Sequence, residues 1–358
     1  AMTDKDTILQ LVNAGHRAPS ADNSQPWHFH WNGEQLSLRY DHARVTGRTF
    51  PPDNQATLLS MGAAVENIVN AAQQRDLKTE IHWWPEGEAN RAYYAALAFK
   101  PSPVKPLLER TKQYPSIRHT NRFPYKNTPL PQDVLDSLGE LSESSARLIA
   151  INEPGQIRQV GQLVKSASEI RFQTREVHEW LMASLRFSED SVKEADGLDL
   201  KTLALPPGGS YLLKFIGDWN RMKILNRLGI YKFLAAVDSA PVAGAPALLA
   251  VIAPPDVTGA IDAGMLLNRS WSFLNGQHIA AHPYYVISDQ LARLSTGTVP
   301  SDLVGAATTL ANNCQNTLGL SEGESLHMLL RVGYPKKQTP PSSLRLPIEK
   351  VFTDTSTR

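Results

Sequence analysis

The sequence predicts an α+β protein whose chain contains two related halves. Strand-like apolar runs alternate with amphipathic helical segments, which is typical of a domain that mixes sheet and helix. Two stretches also share an order of elements: a strand, a helix with a pair of small residues (Gly62-Ala63 and Ala263-Gly264), and a further strand. Two such halves could pack as two subunits would, or the match could be a coincidence of α+β patterning.

The composition is that of a folded domain without a strong charge bias. The chain has 358 residues, of which 42% are hydrophobic and 20% charged, and its net charge is +1. This balance gives no argument for nucleic acid or an acidic membrane surface as a partner, and no run of residues approaches a membrane span. Cys314 is the only cysteine, which excludes an intrachain disulfide. We expect a cytoplasmic protein, monomeric or weakly homodimeric.

The first half, residues 1–115, is predicted to contain two helices and four strands. In order they are a short helix with Ile8, Leu9, Leu11 and Val12 as its apolar stripe, strands Trp27–Trp31 and Gln35–Tyr40, a helix over 56–74, and strands Thr79–Trp84 and Tyr93–Phe99. Asn32-Gly33 between the first two strands indicates a hairpin. Apolar residues on one face support the helix over 56–74, and Pro101, Pro103 and Pro106 mark a break.

The second half, residues 116–358, is predicted to be longer and more helical. Helices are expected at Pro131–Leu138, Pro154–Phe187, Val257–Ala281 and Ser301–Leu318, and strands at Leu148–Ile151, Ala247–Ala253, Tyr284–Ile287 and His327–Val332. Residues 188–240 follow no clear pattern, and Leu205–Ser210 reads Leu-Pro-Pro-Gly-Gly-Ser, which cannot be regular structure. We interpret 188–240 as an insert that forms a lid or, alternatively, a surface decoration.

One loop stands out for its composition. Ala18–Phe29 reads Ala-Pro-Ser-Ala-Asp-Asn-Ser-Gln-Pro-Trp-His-Phe and joins the first predicted helix to the first strand. Pro19 and Pro26 disfavour helix in the residues before them. Between the prolines, Ser20, Asn23 and Gln25 offer uncharged hydrogen-bonding groups, which suit a flat ligand with polar edges. The alternative is a capping loop, in which the same side chains bond the local backbone.

A basic segment opens the second half. Arg118, Thr120 and Arg122 alternate, so in an extended segment they face one side. Two guanidinium groups and a hydroxyl group form a good receptor for a phosphate monoester, because arginine binds phosphate oxygens in a bidentate manner. The alternative is a solvated basic linker.

The loop and the basic segment together resemble the nitroreductase family. Ala-Pro-Ser-x-x-Asn-x-Gln-Pro-Trp-x-Phe is similar to that family's flavin-contacting motif, and Arg-x-Thr-x-Arg is similar to the segment that grips the FMN phosphate and ribityl chain. The resemblance implies FMN as cofactor, a backbone N–H around Ile287–Asp289 near the flavin N5, and an arginine near the end of the chain at the phosphate. The residues it implies are Pro19, Ser20, Asn23, Gln25, Arg118, Thr120, Arg122, Ile287, Ser288, Arg331 and Arg345.

The order of the two motifs resembles one branch of that family. Ordinary members carry the basic segment before the loop and bind FMN between two subunits, whereas here the loop comes first. That order is similar to the Acg-like branch, in which one chain imitates the dimer. The resemblance thus implies a nitroreductase-like fold with an intramolecular pseudo-dimer. It also implies hydride transfer from NAD(P)H through FMN to a nitro or quinone-like small-molecule acceptor. An FMN-binding or FMN-sequestering protein with little turnover is the alternative, and a flavin-free relic is a third.

Other kinds of site have weaker support. His28 and His30 share a strand face, and His278 and His282 lie four residues apart, but no third ligand has metal-site spacing. No Gly-x-Ser-x-Gly or Gly-x-Gly-x-x-Gly pattern is present. We therefore expect no metal and no side chain that is required as a catalytic acid, base or nucleophile.

Overall fold

The computed structural model describes residues 3–102 and 118–356 and confirms a mixed α+β fold. The strands are β1 (Trp27–Trp31), β2 (Leu36–Tyr40), β3 (Leu77–Trp83), β4 (Tyr93–Pro101), β5 (Ser142–Glu143), β6 (Ala146–Ile151), β7 (Leu185–Arg186), β8 (Leu198–Asp199), β9 (Ala247–Ala253), β10 (Ala280–Tyr284), β11 (Ser325–Gly333) and β12 (Phe352–Asp354). The expected break at Pro103 and Pro106 and the expected boundary at residues 115 and 116 lie outside the described residues.

The α-helices of the described residues are α1 (Lys5–His16), α2 (His42–Val45), α3 (Gln55–Gln73), α4 (Gln132–Gly139), α5 (Pro154–Phe172), α6 (Arg175–Ser184), α7 (Glu189–Val192), α8 (Gly209–Ile216), α9 (Trp219–Arg227), α10 (Ile230–Ala243), α11 (Val257–Gly276), α12 (Val286–Thr296) and α13 (Val304–Leu318). Within these ranges, none of the helices combines the length and the apolar character that a membrane crossing needs.

Two five-stranded sheets share one topology over four of their strands. Their orders are β12-β1-β2-β4-β3 and β10-β11-β9-β6-β5. In each sheet an antiparallel pair (β1 and β2, or β6 and β9) precedes a long helix (α3 or α11), which leads to a third strand (β3 or β10). The fourth strand, β4 or β11, then lies antiparallel between the second and third strands. The same arrangement of four strands and one helix therefore occurs twice.

Helices α3 and α11 pack on each other between the two sheets. Each crosses the other through a glycine, because a Cβ on Gly62 would lie 2.2 Å from the carbonyl oxygen of Ile261. Reciprocally, a Cβ on Gly264 would lie 2.0 Å from the carbonyl oxygen of Leu59. Real Cβ atoms do not approach so closely, and the small side chains are what allow the two backbones to touch.

Buried polar groups also join these two helices. Asn268 donates through Nδ2 to Oδ1 of Asn67 at 2.6 Å. Arg269 donates to both carboxylate oxygens of Glu66, with Nε to Oε1 at 2.9 Å, and also pairs with Glu143. Arg269 and Glu66 are both buried, so each compensates the charge of the other in a place that water does not reach.

The other face of the second sheet packs against α5, α12 and α13 in a separate apolar core. Cys314 lies in this core, and burial raises the pKa of its thiol to about 12. A thiol with that pKa is almost entirely protonated at neutral pH, so it acts as a small apolar side chain.

Residues 344–354 cross back to the first half. Strand β12 pairs parallel with β1 at the edge of the first sheet. His16, at the end of α1, has Nε2 2.8 Å from the carbonyl oxygen of Leu346, while Nδ1 accepts a hydrogen bond from the indole of Trp27. Burial lowers the pKa of His16 to about 4, which keeps the ring neutral and fixes Nε2 as the donor to Leu346.

Three predicted elements were wrong at their boundaries. The helix expected at Val257–Ala281 ends at Gly276, because His278 adopts a left-handed backbone (φ 61°) and the chain then enters β10. The strand expected at Tyr284–Ile287 is the end of β10 and the start of α12, since the β-branched pair Val286-Ile287 misled a reading by propensity. The helix expected at Pro154–Phe187 is two helices, α5 and α6, separated at residues 173–174.

Candidate functional site

The loop between α1 and β1 has an unusual backbone. Asp22, Asn23 and Gln25 all have positive φ values of 50–54°. Asp and Asn tolerate this region, but it is uncommon for Gln, and such strain persists only where the surroundings hold it in place. One local support is Ser20, whose Oγ accepts a hydrogen bond from the backbone N–H of Gln25 at 3.0 Å. The loop is thus a fixed structure, as a binding loop requires.

The side chains of Asn23 and Gln25 hold this loop to two distant segments. Gln25 donates through Nε2 to the carbonyl oxygen of Ala195 and accepts at Oε1 from the backbone N–H of Leu346. Asn23 donates through Nδ2 to the carbonyl oxygens of Gly197 and Leu344. Both amides are therefore engaged with the protein, which shows a structural role. The cofactor contacts expected for these two side chains stay a prediction.

Arg118 is a buried guanidinium that has no carboxylate partner among residues 3–102 and 118–356. It lies over the indole ring of Trp271, 4.5 Å from the ring centroid, and its Nη2 donates to the carbonyl oxygen of Arg17 at 3.0 Å. Its Nε and Nη1 are buried and have no hydrogen-bond partner in the described part of the chain. Burial, with Arg345 and Arg17 nearby, lowers the pKa of Arg118 well below its usual value. Three unused donor directions in one positive cluster form an anion receptor.

Arg345 lies in the same cluster. Its Nη1 donates to Oδ1 of Asn23 at 2.9 Å, and its Nη2 reaches the carbonyl oxygens of Arg17 and Ala18. Its Nε is buried and has no hydrogen-bond partner within the described ranges, and burial beside Arg17 lowers its pKa to about 10. The sequence singled out Arg118 and Arg345 separately, and the structure brings both to the carbonyl oxygen of Arg17.

A cavity of about 230 Å³ lies beside this cluster, lined by the loop, α3, α6, α11 and α12. Pro19 and Ser20 line it from the loop, and Trp271, which carries Arg118 on its ring, lines it from α11. Of the expected site residues, Pro19, Ser20 and Arg122 line the cavity directly. The cavity therefore adjoins the cationic cluster at the point where the loop turns.

Charged side chains converge on the cavity from several elements. Asp22 and Arg122 face it together with Arg171, Asp289 and Arg293. Burial raises the pKa of Asp22 to about 6, although Arg171 and Arg122 oppose the shift. Burial likewise lowers the pKa of Arg122, which makes no hydrogen bond with the described residues. Asp22 can therefore exchange a proton near neutral pH, and Arg122 has donors free for a ligand.

Aromatic rings close one side of the cavity. Phe50 meets Trp180 edge-on at 5.6 Å between ring centroids and Tyr285 at 6.2 Å. Arg293 lies over the Trp180 ring and bonds Asp289, with Nε to Oδ2 at 2.9 Å. A second cavity, of about 410 Å³, shares Phe50, Trp180 and Arg293 with the first. These side chains therefore form a partition between two cavities.

The expected backbone donor near residue 287 falls at a helix N-terminus. α12 starts at Val286, and its first backbone N–H with a helical partner is that of Asp289, which bonds the carbonyl oxygen of Tyr285. The N–H groups of Val286, Ile287 and Ser288 thus have no partner within the helix. The side chains of Ile287 and Ser288 are buried in the core, with Ser288 Oγ donating to the carbonyl oxygen of Leu326. Only their backbone is therefore available, and its contact with a flavin stays a prediction.

Thr120 and Arg331 lie apart from the cavity lining. Arg331 stacks on the ring of Tyr125 at 3.8 Å and donates to His282 and to the carbonyl oxygen of Phe123. Its donors are thus largely engaged within the second sheet. Burial beside Arg122 and Arg331 lowers the pKa of His282 well below its usual value.

The wall over the cavity comes from residues earlier than those of the expected lid. Val177, Trp180 and Leu181 of α6 line the cavity, whereas Leu205–Tyr211 do not. The stretch 188–240 instead contributes Ala195 and Gly197, which hold the loop. Whether any part of it moves stays a prediction.

Sequence reasoning missed several residues of this site. Asp22 was an unassigned position within the motif, and its positive φ and raised pKa become visible only in the folded chain. Arg171, Trp180 and Arg293 lie on helices whose patterns indicate only amphipathic packing. Their signal in the sequence is slight: a charged or aromatic residue on the buried side of a helix.

Comparison with known proteins adds a match at the loop. The model of the Nitroreductase family matches residues 1–55. The uncharacterized protein MT1398 of Mycobacterium tuberculosis (strain CDC 1551 / Oshkosh) is 26% identical over 203 residues, which are 55% of this chain and 27% of that protein. Rv3131 of M. tuberculosis (strain ATCC 25618 / H37Rv), named as a candidate NAD(P)H nitroreductase, is 26% identical over 129 residues, 36% of this chain and 37% of that protein.

Among solved structures, an FMN-bound nitroreductase from Desulfitobacterium hafniense DCB-2 aligns with a TM-score of 0.35 and 15% identity, covering 66% of this chain and 94% of that one. The stretches matched in MT1398 and Rv3131 cover only about a quarter and about two fifths of the length of those two proteins. The family match falls on the strained loop, α1 and the first hairpin.

Proposed function

We propose that this chain is an FMN-dependent oxidoreductase of the nitroreductase type. The observation that carries the proposal is Arg118, a buried guanidinium whose Nε and Nη1 have no hydrogen-bond partner among the residues that the structure describes. Leaving a buried charge unpaired costs several kcal/mol, roughly, unless a counter-ion binds. The FMN phosphate is a dianion, and it would be met by Arg118, Arg345 and Arg17 in one cluster. The donor set therefore fits this cofactor.

The family match supports the same site from an independent direction. It covers residues 1–55, which contain the loop that borders both the cavity and the cationic cluster. A bound FMN would supply hydride transfer between NAD(P)H and a nitro or quinone-like acceptor. One mycobacterial relative is named as a candidate NAD(P)H nitroreductase, which favours a nicotinamide donor for this chain as well.

The chain's own residues would hold and tune such a cofactor. Arg118 and Arg345 would neutralise the phosphate, and the loop at Pro19 and Ser20 would border the ring. The free backbone N–H groups at the start of α12 would offer donors to an electron-rich edge, because a helix N-terminus favours negative charge. The Asp22 carboxyl would hold or release a proton beside the cavity at neutral pH.

We further propose that the two halves imitate two subunits, as in the Acg-like branch. The support is the topology that occurs twice, together with the reciprocal contact of Gly62 and Gly264 across α3 and α11. A two-fold dimer produces such reciprocal contacts by symmetry, since residue i meets residue j and j meets i.

A second candidate is an FMN-binding or FMN-sequestering protein with little turnover. The observation that favours it is the partition formed by Phe50, Trp180 and Arg293, which separates the cavity beside the loop from the second cavity. The two functions share the cofactor and differ in whether a second substrate reaches it.

Anaerobic spectroscopy of the purified chain loaded with FMN tests both candidates. We expect tight binding of FMN and bleaching of its visible absorbance by NADPH or NADH. Reoxidation by a nitroaromatic compound or a quinone would establish the reductase. Binding without bleaching would favour sequestration, and failure to bind FMN at micromolar concentration would overturn both.

A further inference from the structure

Large apolar side chains are exposed together on three consecutive helices. Of the nine exposed large hydrophobic residues among those described, six belong to residues 209–243. They are Tyr211 and Phe215 on α8, Ile224 on α9 with Leu228 directly after it, and Phe233 and Val237 on α10. The two members of each pair are four residues apart, so they share a helical face. Leu228 is 82% exposed and Tyr211 is 78% exposed.

These side chains are not needed for the packing of the helices that carry them. A small core formed by Phe172, Ile216, Met222 and Ala235 already holds α8, α9 and α10 together. Asn226 anchors α9 to α5 by donating to the carbonyl oxygen of Phe172 at 2.9 Å. The exposed pairs therefore point away from a core that is complete without them.

The same helices carry a concentrated positive charge. Lys214, Arg221, Lys223, Arg227 and Lys232 are all exposed, and the two acidic residues of 209–243 are Asp218 and Asp238. Asp238 is engaged with Arg171 at 3.0 Å, and Asp218 lies 3.8 Å from Arg221, which leaves Lys214, Lys223, Arg227 and Lys232 as the excess positive charge. The net charge of the whole chain is only +1, so the excess on this surface is local. Arg221 also lies over the ring of Phe215, 5.0 Å from its centroid, which places a basic and an aromatic side chain side by side.

We propose that α8–α10 form a docking surface for a bilayer that contains anionic lipid. Aromatic and aliphatic side chains that enter the acyl boundary, beside lysine and arginine that meet lipid phosphates, are what an interfacial surface requires. A second copy of this chain fits less well, because a two-fold contact brings the same basic residues against themselves. The proposal concerns a surface and does not depend on the cofactor.

Sedimentation with vesicles tests the proposal. Full-length protein is mixed with vesicles of phosphatidylcholine alone or of phosphatidylcholine with phosphatidylglycerol. We expect binding to the anionic vesicles, weak binding to the neutral ones, and release by salt, since attraction between exposed charges is screened.

Paired variants separate the two contributions. Lys223→Gln with Arg227→Gln should lower the partition coefficient on anionic vesicles about fivefold for each charge removed. Leu228→Ser with Phe233→Ser should lower it about tenfold or more. All four positions are exposed, so these variants should fold. The matched controls are Arg158→Gln with Lys350→Gln, and Val304→Ser with Leu344→Ser, which are exposed elsewhere and should bind as the parent does.

Three results would overturn the proposal. The first is no binding to anionic vesicles, and the second is equal loss of binding in the control variants. The third is a homodimer in light scattering that Leu228→Ser with Phe233→Ser dissociates, which would assign the surface to self-association. An acidic protein partner would show as binding to polyglutamate but not to vesicles.

Discussion

Among the described residues, the buried Arg118 guanidinium has no carboxylate partner and two nitrogen atoms without a hydrogen bond, so an anion from outside the chain can compensate its charge. Arg118 differs in this respect from Arg269, whose fork is filled by Glu66. It also differs from Arg331, which likewise has no carboxylate partner among the described residues but bonds His282 and the carbonyl oxygen of Phe123, whereas Nε and Nη1 of Arg118 have no hydrogen-bond partner there. The free protein therefore carries an electrostatic cost at Arg118 that an anionic ligand would remove.

That difference gives a prediction for Arg118→Met, which keeps the bulk of the side chain and removes the charge. FMN affinity should fall about tenfold or more, because a charge-assisted hydrogen bond contributes roughly 1.5–3 kcal/mol. Riboflavin affinity should change little, since it lacks the phosphate. Fluorescence titration with both ligands measures this.

The stability of the ligand-free variant provides the control for that experiment. Arg118→Met should unfold at the same or a higher denaturant concentration than the parent, because it removes an uncompensated charge. Arg118→Lys should retain part of the FMN affinity without the bidentate geometry. Equal losses for FMN and riboflavin would contradict the phosphate role.

Asp22 gives a second prediction at this scale, through pH. Its folded pKa of about 6 lies above the ordinary value of 3.8, so the folded chain holds the proton more tightly than the unfolded chain. Its contribution to the free energy of unfolding therefore falls as the pH rises from about 4 to about 6. Asp22→Asn should be more stable than the parent above pH 6, by at most about 3 kcal/mol.

Chemical denaturation of the ligand-free protein at several pH values measures this difference. The advantage of Asp22→Asn should shrink as the pH falls to about 4. An advantage that is the same at every pH would instead be due to backbone preference, because Asn accepts the left-handed region that Asp22 occupies.

Residue types in the sequence singled out the loop and the arginines, but not the contacts that each side chain makes within the protein. Pro19 and Ser20 border the cavity. The side-chain amides of Asn23 and Gln25 instead form hydrogen bonds with the backbone of Leu344, Leu346 and Ala195. Those partners are distant in sequence and bond through backbone atoms, which nearly all residue types share, so the sequence does not reveal these bonds. The sequence therefore indicated the motif but not which of its side chains face the cavity and which bond the protein.

At the scale of elements, the close crossing of α3 and α11 depends on Gly62 and Gly264, which have no Cβ atom. Gly62→Ala or Gly264→Ala would place a methyl group about 2 Å from a carbonyl oxygen of the other helix. The helices must then separate, so we expect a loss of about 1–3 kcal/mol, or more, in the free energy of unfolding.

Gly305→Ala is the matched control for that prediction. Gly305 lies in α13, and a Cβ there would meet nothing within 4 Å. This substitution should stabilise the protein by about 0.5–1 kcal/mol, since alanine favours helix. Thermal unfolding of the three variants compares them, and similar behaviour of Gly62→Ala and Gly305→Ala would refute the close crossing.

The wall helix α6 gives a further prediction at this scale. Trp180 is part of both cavities and meets Phe50 and Arg293. Trp180→Ala should open the partition and, in the FMN-loaded protein, speed bleaching by NADPH several-fold. Shortening Leu205–Tyr211, the bend of the expected lid, should do so only if that segment moves over the site, because it does not line the cavity.

Quenching of flavin fluorescence by iodide offers a second readout for both variants. It should rise in Trp180→Ala if the partition limits access. An unchanged bleaching rate and unchanged quenching in a folded, loaded Trp180→Ala would show that the aromatic partition does not restrict entry.

At the scale of the whole molecule, the fold repeats but the site does not. The strained loop and the Arg118 segment each occur once in the sequence, although the arrangement of four strands and a helix occurs twice. We therefore predict one FMN per chain, measured by releasing flavin from protein of known concentration. A value near two would mean that the second half contains an equivalent site with different residues.

Apolar runs and the small-residue pairs at Gly62 and Gly264 recur in order along the sequence, which favours two related halves; that these halves imitate two subunits stays a proposal. The junction of strand and helix at Tyr284–Ile287 could not be predicted, since the β-branched residues at the start of α12 fit strand and helix alike. Nor could residues 188–240 be placed, because α8 and α9 are only 8 and 9 residues long and α10 contains Pro241, so the helical period repeats too few times to be recognised.

The return of residues 344–354 to the first half has a consequence for the order of assembly. Gln25 is held by Leu346, which lies 321 positions later in the chain, and β1 has β12 as its outer neighbour. At about 5–20 residues per second, translation reaches that partner roughly 15–65 s after Gln25 has been made. During synthesis the loop therefore lacks its partner at Leu346. The nascent first half must remain soluble while the outer side of β1 is still unpaired.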